Sequence, residues 1–411
     1  MRLKALEIAR WAHGGDGVAV PGEGPLKGMV IFVPDTVPGD LVDVEIIQRK
    51  KRWAKAVVTE RLRASDERVE VPCAIQAQCG GCPWMAGSAA AQATSRLAIL
   101  KGEVRKRLRW SEAMLAERVS VAEDLGPSLG YRCRLRLGYI VRPSGDVILG
   151  FRAPRSHRLI NVTHCAVADA PLSAALPELR AALGARGAGE GDVQLLSGDE
   201  GVGAWVRPAH GAAWAWGPQQ LTLRVGGVAL AATPGGFFQA NVAVTEGMLS
   251  AIITALGAPS HVGAHAVELF AGSGALTVGL LRAGYSVKAY ELDAASEPLF
   301  KANTRGEGRA AFHVADLLET GVPFPAPDTP EVVLIDPPRQ GALPVMPWLR
   351  ACGAERIVLV SCDVSTAVRD LCELTDRYDV RQITGWNMFP HTGHQEVIAV
   401  LARRDTLGAT L

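Results

Sequence analysis

At 411 residues the chain exceeds what one ordinary hydrophobic core organises, so two or three domains are expected. With 48% hydrophobic and 21% charged residues it is neither disordered nor fibrous, and reads as a soluble globular enzyme. The net charge of +1 is uninformative as a total, but the basic runs Arg49-Lys50-Lys51-Arg52-Trp53-Ala54-Lys55, Arg105 to Arg109 and Arg132-Cys133-Arg134-Leu135-Arg136 all precede Gly138, an asymmetry that points to a nucleic-acid partner.

The chain opens with MRLKALEIAR, where charges interrupt any apolar run. No later stretch approaches the roughly 20 apolar residues that span a bilayer, so neither a signal peptide nor an anchor is expected, and the cytoplasm is the expected compartment. Up to about residue 62, short apolar runs alternate with turn residues: Gly14-Gly15-Asp16-Gly17 before Val18 to Val20, then Met29 to Val33, then Pro38-Gly39-Asp40 before Leu41 to Ile47, then Ala56 to Val58. Such punctuation predicts a small β-barrel of the oligonucleotide-binding kind, with the basic run at a strand end. Residues 85–117, Ala-rich and then basic, predict helix. Strands are expected at Leu135 to Val141 and Val147 to Phe151, with helical turns between Leu172 and Leu183. From about residue 262 short buried strands alternate with helices: Ala266 to Phe270, Val287 to Glu291, Ala311 to Val314, Val332 to Ile335, Ile357 to Val360 and Val397 to Leu401. That rhythm predicts a doubly wound, mostly parallel sheet.

The eight cysteines are clustered, unlike a secreted disulfide framework, which argues for metal binding or catalysis. Cys73, Cys79 and Cys82 stand in a C-x5-C-x2-C pattern whose Gly80 and Gly81 let the backbone curl. Three thiols so spaced can present sulfur to a metal centre whose fourth ligand comes from elsewhere, Cys165 or Cys133. Sites with four cysteine ligands serve zinc and iron–sulfur centres alike, and the spacing does not choose between them.

Glu268-Leu269-Phe270-Ala271-Gly272-Ser273-Gly274 places a Gly-rich turn between a strand and a helix, where backbone can approach a ligand closely. Glu291 ends the next strand, where a carboxylate can take both ribose hydroxyls, and Asp316 follows the third strand, within reach of an adenine. Thr277 occupies the place of the third glycine of a dinucleotide fingerprint, so S-adenosylmethionine is preferred to NAD. Asp336-Pro337-Pro338-Arg339 follows a strand whose C-terminal end faces the ligand side of such a sheet. Cys362 follows the strand ending Val358-Leu359-Val360-Ser361, and Glu396 enters the last strand. A thiol and a carboxylate beside a methyl donor suit methylation of a pyrimidine carbon, since carbon 5 of uracil is too weak a nucleophile until a thiolate has added to carbon 6.

These motifs together resemble the RNA (uracil-5-)-methyltransferase family, and most of all its members that act on 23S rRNA and carry a TRAM domain and a [4Fe-4S] cluster. The resemblance rests on the N-terminal turns and basic run, the cysteine loop, Phe237-Phe238-Gln239-Ala240-Asn241, Asp336 to Arg339, Ser361-Cys362 with Thr366, Arg369 and Asp370, and Met388 to Glu396. It covers nearly the whole chain in order. It implies a TRAM barrel over 1–62, a central domain with the iron–sulfur loop over 63–84 and 118–236, and a Rossmann-like catalytic domain over 85–117 and 237–411. It further implies Cys362 as nucleophile and Glu396 as base, with the cofactor held by Gln239, Phe270, Gly272, Gly274, Glu291, Asp316 and Asp336. Cys73, Cys79, Cys82 and Cys165 are then the cluster ligands, structured RNA the substrate and the monomer the acting form. The target uridine must flip out of its stack to reach Cys362. Two departures stand out: relatives read Ser-Cys-Asn-Pro where Asp363-Val364 follow Cys362 here, and Ala275 replaces a polar residue near the cofactor. A carboxylate pointing at the thiol would disfavour the thiolate. The alternatives to 23S rRNA are a tRNA substrate for the same chemistry, or an RNA-binding assembly factor with weakened catalysis.

Overall fold

The structure, a computed structural model, describes residues 1–154, 156–322 and 329–404. The first 63 residues form a six-stranded sheet in the spatial order Arg2–Glu7, Leu41–Arg49, Trp53–Arg63, Val30–Val33, Gly17–Ala19, Arg10–Trp11. Alternation puts Val42, Val44, Ile31 and Val33 on one face, where they bury against Leu6 and Ile8. Register shifts between Leu41–Arg49 and Trp53–Arg63 bend the two longest strands, and the sheet curls around that core. The first strand lies in the charge-interrupted N-terminus, where no strand is expected.

A second six-stranded sheet, antiparallel throughout, orders Leu159–Asn161, Val147–Arg152, Arg134–Val141, Gly189–Gly198, Gly201–Pro208 and Trp214–Trp216. One helix, Ala170–Gly184, covers it with Leu172, Leu176, Leu179 and Leu183, spaced to form a single apolar stripe.

The predicted doubly wound sheet is β1 (His265–Leu269), β2 (Ser286–Glu291), β3 (Ala310–Val314), β4 (Val332–Ile335), β5 (Arg356–Ser361), β6 (Tyr378–Trp386) and β7 (Glu396–Arg403), in the order β3-β2-β1-β4-β5-β7-β6. The first five are parallel; β7 runs antiparallel between β5 and β6. The short strand Val119–Val121 adds to the outer edge of β6. Because β7 is reversed, its first residue lies at the same edge as the last residues of β1, β4 and β5.

The stretch expected as one helix is two, Ala89–Leu108 (α1) and Glu112–Arg118, broken where Arg109 adopts φ 56°. α1 crosses to the catalytic sheet, where Leu100 and Val104 join the core of Leu269, Ile335 and Leu359. Three more helices matter below: α2 (Ala275–Arg282), α3 (Glu297–Thr304) and α4 (Val364–Cys372). Among the described residues no helix is long and apolar enough to cross a membrane.

Candidate functional site

The antiparallel ladder of β5 and β7 pairs Arg356 with Ala402 and runs without a shift to Ser361 opposite Val397. The ladder ends there: Cys362 lies just beyond β5 and Glu396 begins β7, so the two stand at one edge of the sheet, near enough for Glu396 to act on the thiol. The sheet thus brings the expected nucleophile and base together at its C-terminal edge. Asp336 joins them from the end of β4, its amide hydrogen-bonded to the Leu269 carbonyl (3.3 Å).

The three groups sense one another. Burial lifts the Cys362 thiol to about 11; Glu396 and Asp336 push in the same direction, while Arg339 opposes by charge and by a hydrogen bond to the thiol. Glu396, 3% exposed, is lifted to about 8 by burial and then by Asp336, again against Arg339. Asp336 keeps some contact with solvent, yet desolvation raises it to about 7. Glu268 lies beneath, raised to about 8 by burial, with further pressure from Asp336 and Glu291 and a countering hydrogen bond from Thr277 Oγ1 (2.5 Å). A cleft of mutually repelling carboxyl groups favours a cationic ligand.

Asp363 does not point at the thiol. Its carboxylate caps α4, accepting from the Thr366 amide at 2.9 Å. The motif partners downstream are also structural: buried Asp370 accepts from the Ala342 amide (2.7 Å), and Arg369 donates to the Gln340 carbonyl (2.8 Å), so α4 clamps the loop after Arg339.

Around the Gly-rich turn, Phe270 holds φ 65°, unusual for a side-chain-bearing residue, while Gly272 and Gly274 hold 54° and 83°. A Cβ at Gly274 would press on Phe300 at 2.9 Å. Glu291 accepts from the amides of Gly272 (2.9 Å) and Asp293 (3.0 Å), fixing the turn against β2. Asp316 Oδ1 caps its own turn, accepting from the Leu318 and Glu319 amides, both at 3.1 Å. Gln239 is partly exposed in the segment that ends the hairpin Leu221–Val225 and Val228–Ala232, between exposed Phe237 and buried Ala240. Phe238 packs into the core, so of the two phenylalanines only Phe237 is available to a base; the Arg134 guanidinium lies 5.6 Å from its ring.

Sequence reasoning passed over three residues. In the sequence Arg339 is only the last residue of a turn, yet it is the cation facing Cys362 and Glu396. Glu268 sits within the quoted motif, and its burial next to an apolar run was the available signal. Asn303 of α3 gave none: its amide accepts from Ala231 N (2.7 Å) and donates to the Ser273 carbonyl (2.9 Å), lashing the Gly-rich turn to the hairpin.

Cys79 and Cys82 lie within electrostatic reach of Cys73 and Cys165. Burial lifts Cys82 to about 12, with Cys165, Cys79 and Cys73 adding to it; burial likewise raises Cys79, with Cys165 and Cys73 adding. Cys133 is engaged elsewhere, its Sγ directed to the Gln239 carbonyl at 3.5 Å. Among the described residues no three His, Cys, Asp or Glu side chains are grouped as around a single metal ion.

The chain is 31% identical to the 23S rRNA (uracil(1939)-C(5))-methyltransferase RlmD of Halomonas elongata, over 98% of this chain and 90% of that protein. It is 30% identical to the protein of the same name from Vibrio parahaemolyticus, over 98% and 96%. In fold it matches the crystal structure of Pyrococcus abyssi tRNA (uracil-54, C5)-methyltransferase in complex with S-adenosyl-L-homocysteine, with a TM-score of 0.73 at 21% identity, covering 97% of this chain and 99% of that one. No family model matches.

Proposed function

This chain belongs to the family of 23S rRNA uracil-C5 methyltransferases, and from that membership we propose that it methylates carbon 5 of a uridine in RNA, with S-adenosylmethionine as methyl donor and 23S rRNA as substrate. The observation that supports the mechanism is that the β5–β7 ladder ends at Ser361 and Val397, which puts the neighbouring Cys362 and Glu396 at the edge where the Gly-rich turn and Asp336 also lie. The bound cofactor supplies an electrophilic methyl group on a sulfonium. Its positive charge suits the carboxyl groups of Glu268, Asp336 and Glu396, which are raised by burial, Glu268 and Glu396 also by the charge of Asp336. Gln239, Phe270, Gly272, Gly274, Glu291, Asp316 and Asp336 are the residues proposed to hold it.

The proposed steps use this chain's residues as follows. Arg339, hydrogen-bonded to Cys362, favours its thiolate, which adds to carbon 6 of the flipped uracil and sends the electron pair of the double bond toward carbon 5. Carbon 5 takes the methyl group and now carries both it and its original proton. Glu396 removes that proton, the carbon–hydrogen pair restores the double bond, and the carbon–sulfur bond breaks to return the thiolate. Raised to about 8, Glu396 is a stronger base than an ordinary carboxylate once ionised. Asp363, spent on capping α4, leaves the thiol undisturbed and weighs against a catalytically faded assembly factor.

RNA containing 5-fluorouridine tests the mechanism, because fluorine cannot be removed as the proton is. Wild type with cofactor should form a denaturation-resistant adduct and Cys362→Ala none; absence of adduct with the wild type on rRNA and tRNA transcripts alike would sink the proposal. Mapping 5-methyluridine in ribosomal and transfer RNA from a deletion strain decides between the substrates.

We further propose a [4Fe-4S] cluster on Cys73, Cys79, Cys82 and Cys165. Four cysteines without histidine or carboxylate are the donor set of such a cluster, and their mutual electrostatic influence supports a shared space. Bound there, the cluster would pin the loop between the second sheet and α1. Iron and sulfide should be present in protein purified without air, and the brown colour should be lost in Cys79→Ser but kept in Cys133→Ser. Stoichiometric zinc instead would overturn it.

A further inference from the structure

Between the cysteine loop and the catalytic edge lies a buried polar node that the chemistry above does not use. Gln92 of α1, 4% exposed, donates from Nε2 to the carbonyls of Gly87 (3.0 Å) and Trp84 (3.3 Å) and stands 3.2 Å from His391 Nδ1. Its Oε1 accepts from the His391 amide (2.9 Å) and from Arg96 Nη2 (3.2 Å). One side chain thus holds the main chain of a residue almost three hundred positions away and stands against its ring. His391 needs the grip: its φ of 69° is a left-handed conformation that persists in a side-chain-bearing residue only where its surroundings enforce it. Its carbonyl accepts from the Trp84 amide at 2.9 Å.

The same helix holds the far end of the loop. Arg96 Nη2 reaches the Thr392 carbonyl (3.4 Å), and Gln395, 1% exposed, donates from Nε2 to the Arg96 carbonyl (3.2 Å). Glu396 is the next residue. No hydrogen bond or ion pair to another described residue fixes its carboxylate, so its place follows from its backbone, which pairs with Trp386 as β7 begins and is entered from the main chain of 391–395.

We propose that Gln92 is a positioning residue for proton removal: by enforcing the left-handed turn at His391 it sets the position of the Glu396 carboxylate. The proposal rests on the reading of Glu396 as base. Thiolate addition and methyl transfer need no proton taken by Glu396, so loosening the node should largely spare both and slow chiefly the loss of the carbon 5 proton. The species that then builds up has the Cys362 sulfur bonded to carbon 6 and both methyl and hydrogen on carbon 5.

The test uses ordinary RNA and cofactor with full-length Gln92→Met, which keeps the volume and removes the amide. Release of methylated RNA is expected to fall roughly ten- to a hundredfold, the range that small misplacements of a reacting group produce. A covalent protein–RNA complex bearing the transferred methyl should accumulate, seen by denaturing gel and mass. The rate of trapping by 5-fluorouridine RNA and the KM for the cofactor should stay near wild type. Wild-type turnover, or trapping by fluorinated RNA that falls in step with turnover, overturns the proposal. Should Gln92→Met not fold, Gly393→Ala perturbs the same loop from the opposite side, since its Cβ would meet the His13 carbonyl and Trp84, and the same two readouts decide. Glu396→Gln separates the two claims: if it fails to accumulate the complex, the base assignment itself falls; if it accumulates the complex and Gln92→Met does not, only the role of Gln92 falls.

Discussion

At Cys362 opposing influences meet: burial, Glu396 and Asp336 favour the thiol, and Arg339 favours the thiolate. The neighbour that looked most disruptive, Asp363, takes no part. It stands where relatives place asparagine, and both residues cap helices well, so the substitution keeps the cap and loses only the stiffening proline after it. Asp363→Asn should therefore leave turnover nearly unchanged, while Asp363→Ala should lower stability by about 1 kcal/mol in chemical denaturation. Glu396 gives a pH-dependent prediction. Its carboxyl is raised from 4.5 in the unfolded chain to about 8 in the fold, so the folded protein binds the extra proton between those values. The destabilisation is absent below the lower value and complete above the upper one. Glu396→Gln should thus raise Tm, measured without cofactor, by more at about pH 9 than at about pH 5.5. An equal shift at both would show that the carboxyl is not so perturbed.

Among the elements, legibility followed burial. Strands β1, β4 and β5 read directly from the sequence because strands covered on both faces are runs rich in apolar residues. β6, Tyr378–Trp386, mixes Asp379, Arg381 and Gln382 with its apolar residues and gave no such run. The helix expected over 85–117 breaks at Arg109, whose left-handed turn has no glycine to announce it. Cys362 and Glu396 were legible as residues, but their opposition was not, since it depends on the reversal of β7. Polar side chains that act through distant backbone were invisible: in an Ala-rich helix Gln92 and Arg96 look like solvent-facing residues, and their partners are known only once the chain has folded. Asn303 is of this kind and can be tested by itself. Asn303→Leu removes bonds to both Ala231 and Ser273, and should cost about 1–3 kcal/mol while raising the Kd for the cofactor, measured calorimetrically. Unchanged affinity at reduced stability would show that the turn does not depend on this tether.

Over the whole molecule, charge explains what the near-zero total conceals. Arg134 is lowered by burial and by the neighbouring Arg132, Arg136 and Arg207, which repel one another on the face that carries Phe237. Only Arg136 of these is paired to a carboxylate among the described residues, with Asp192 at 3.3 Å. Such a face should read RNA phosphates. Log Kd for a single-stranded substrate plotted against log salt should lose a slope of about 0.7 for each of Arg132→Ala and Arg207→Ala that ends a phosphate contact. The first sheet is joined to the catalytic region where Trp84, two residues beyond Cys82, stacks on Trp11 at 4.8 Å and bonds to the loop before Glu396.

The ladder between β5 and β7 has a consequence for how this enzyme can vary. Because Cys362 and Glu396 stand beside the last pair of that ladder, their separation is independent of the length of chain between them, and the loops joining α4, β6 and β7 are free to lengthen or shorten. Strand alternation is unforgiving in the other direction: a single-residue insertion inside β7 would turn every following side chain to the opposite face. Length changes in descendants of this chain should therefore collect between Thr375 and Tyr378, at the turn into β6, and be absent from the eight residues of the last strand.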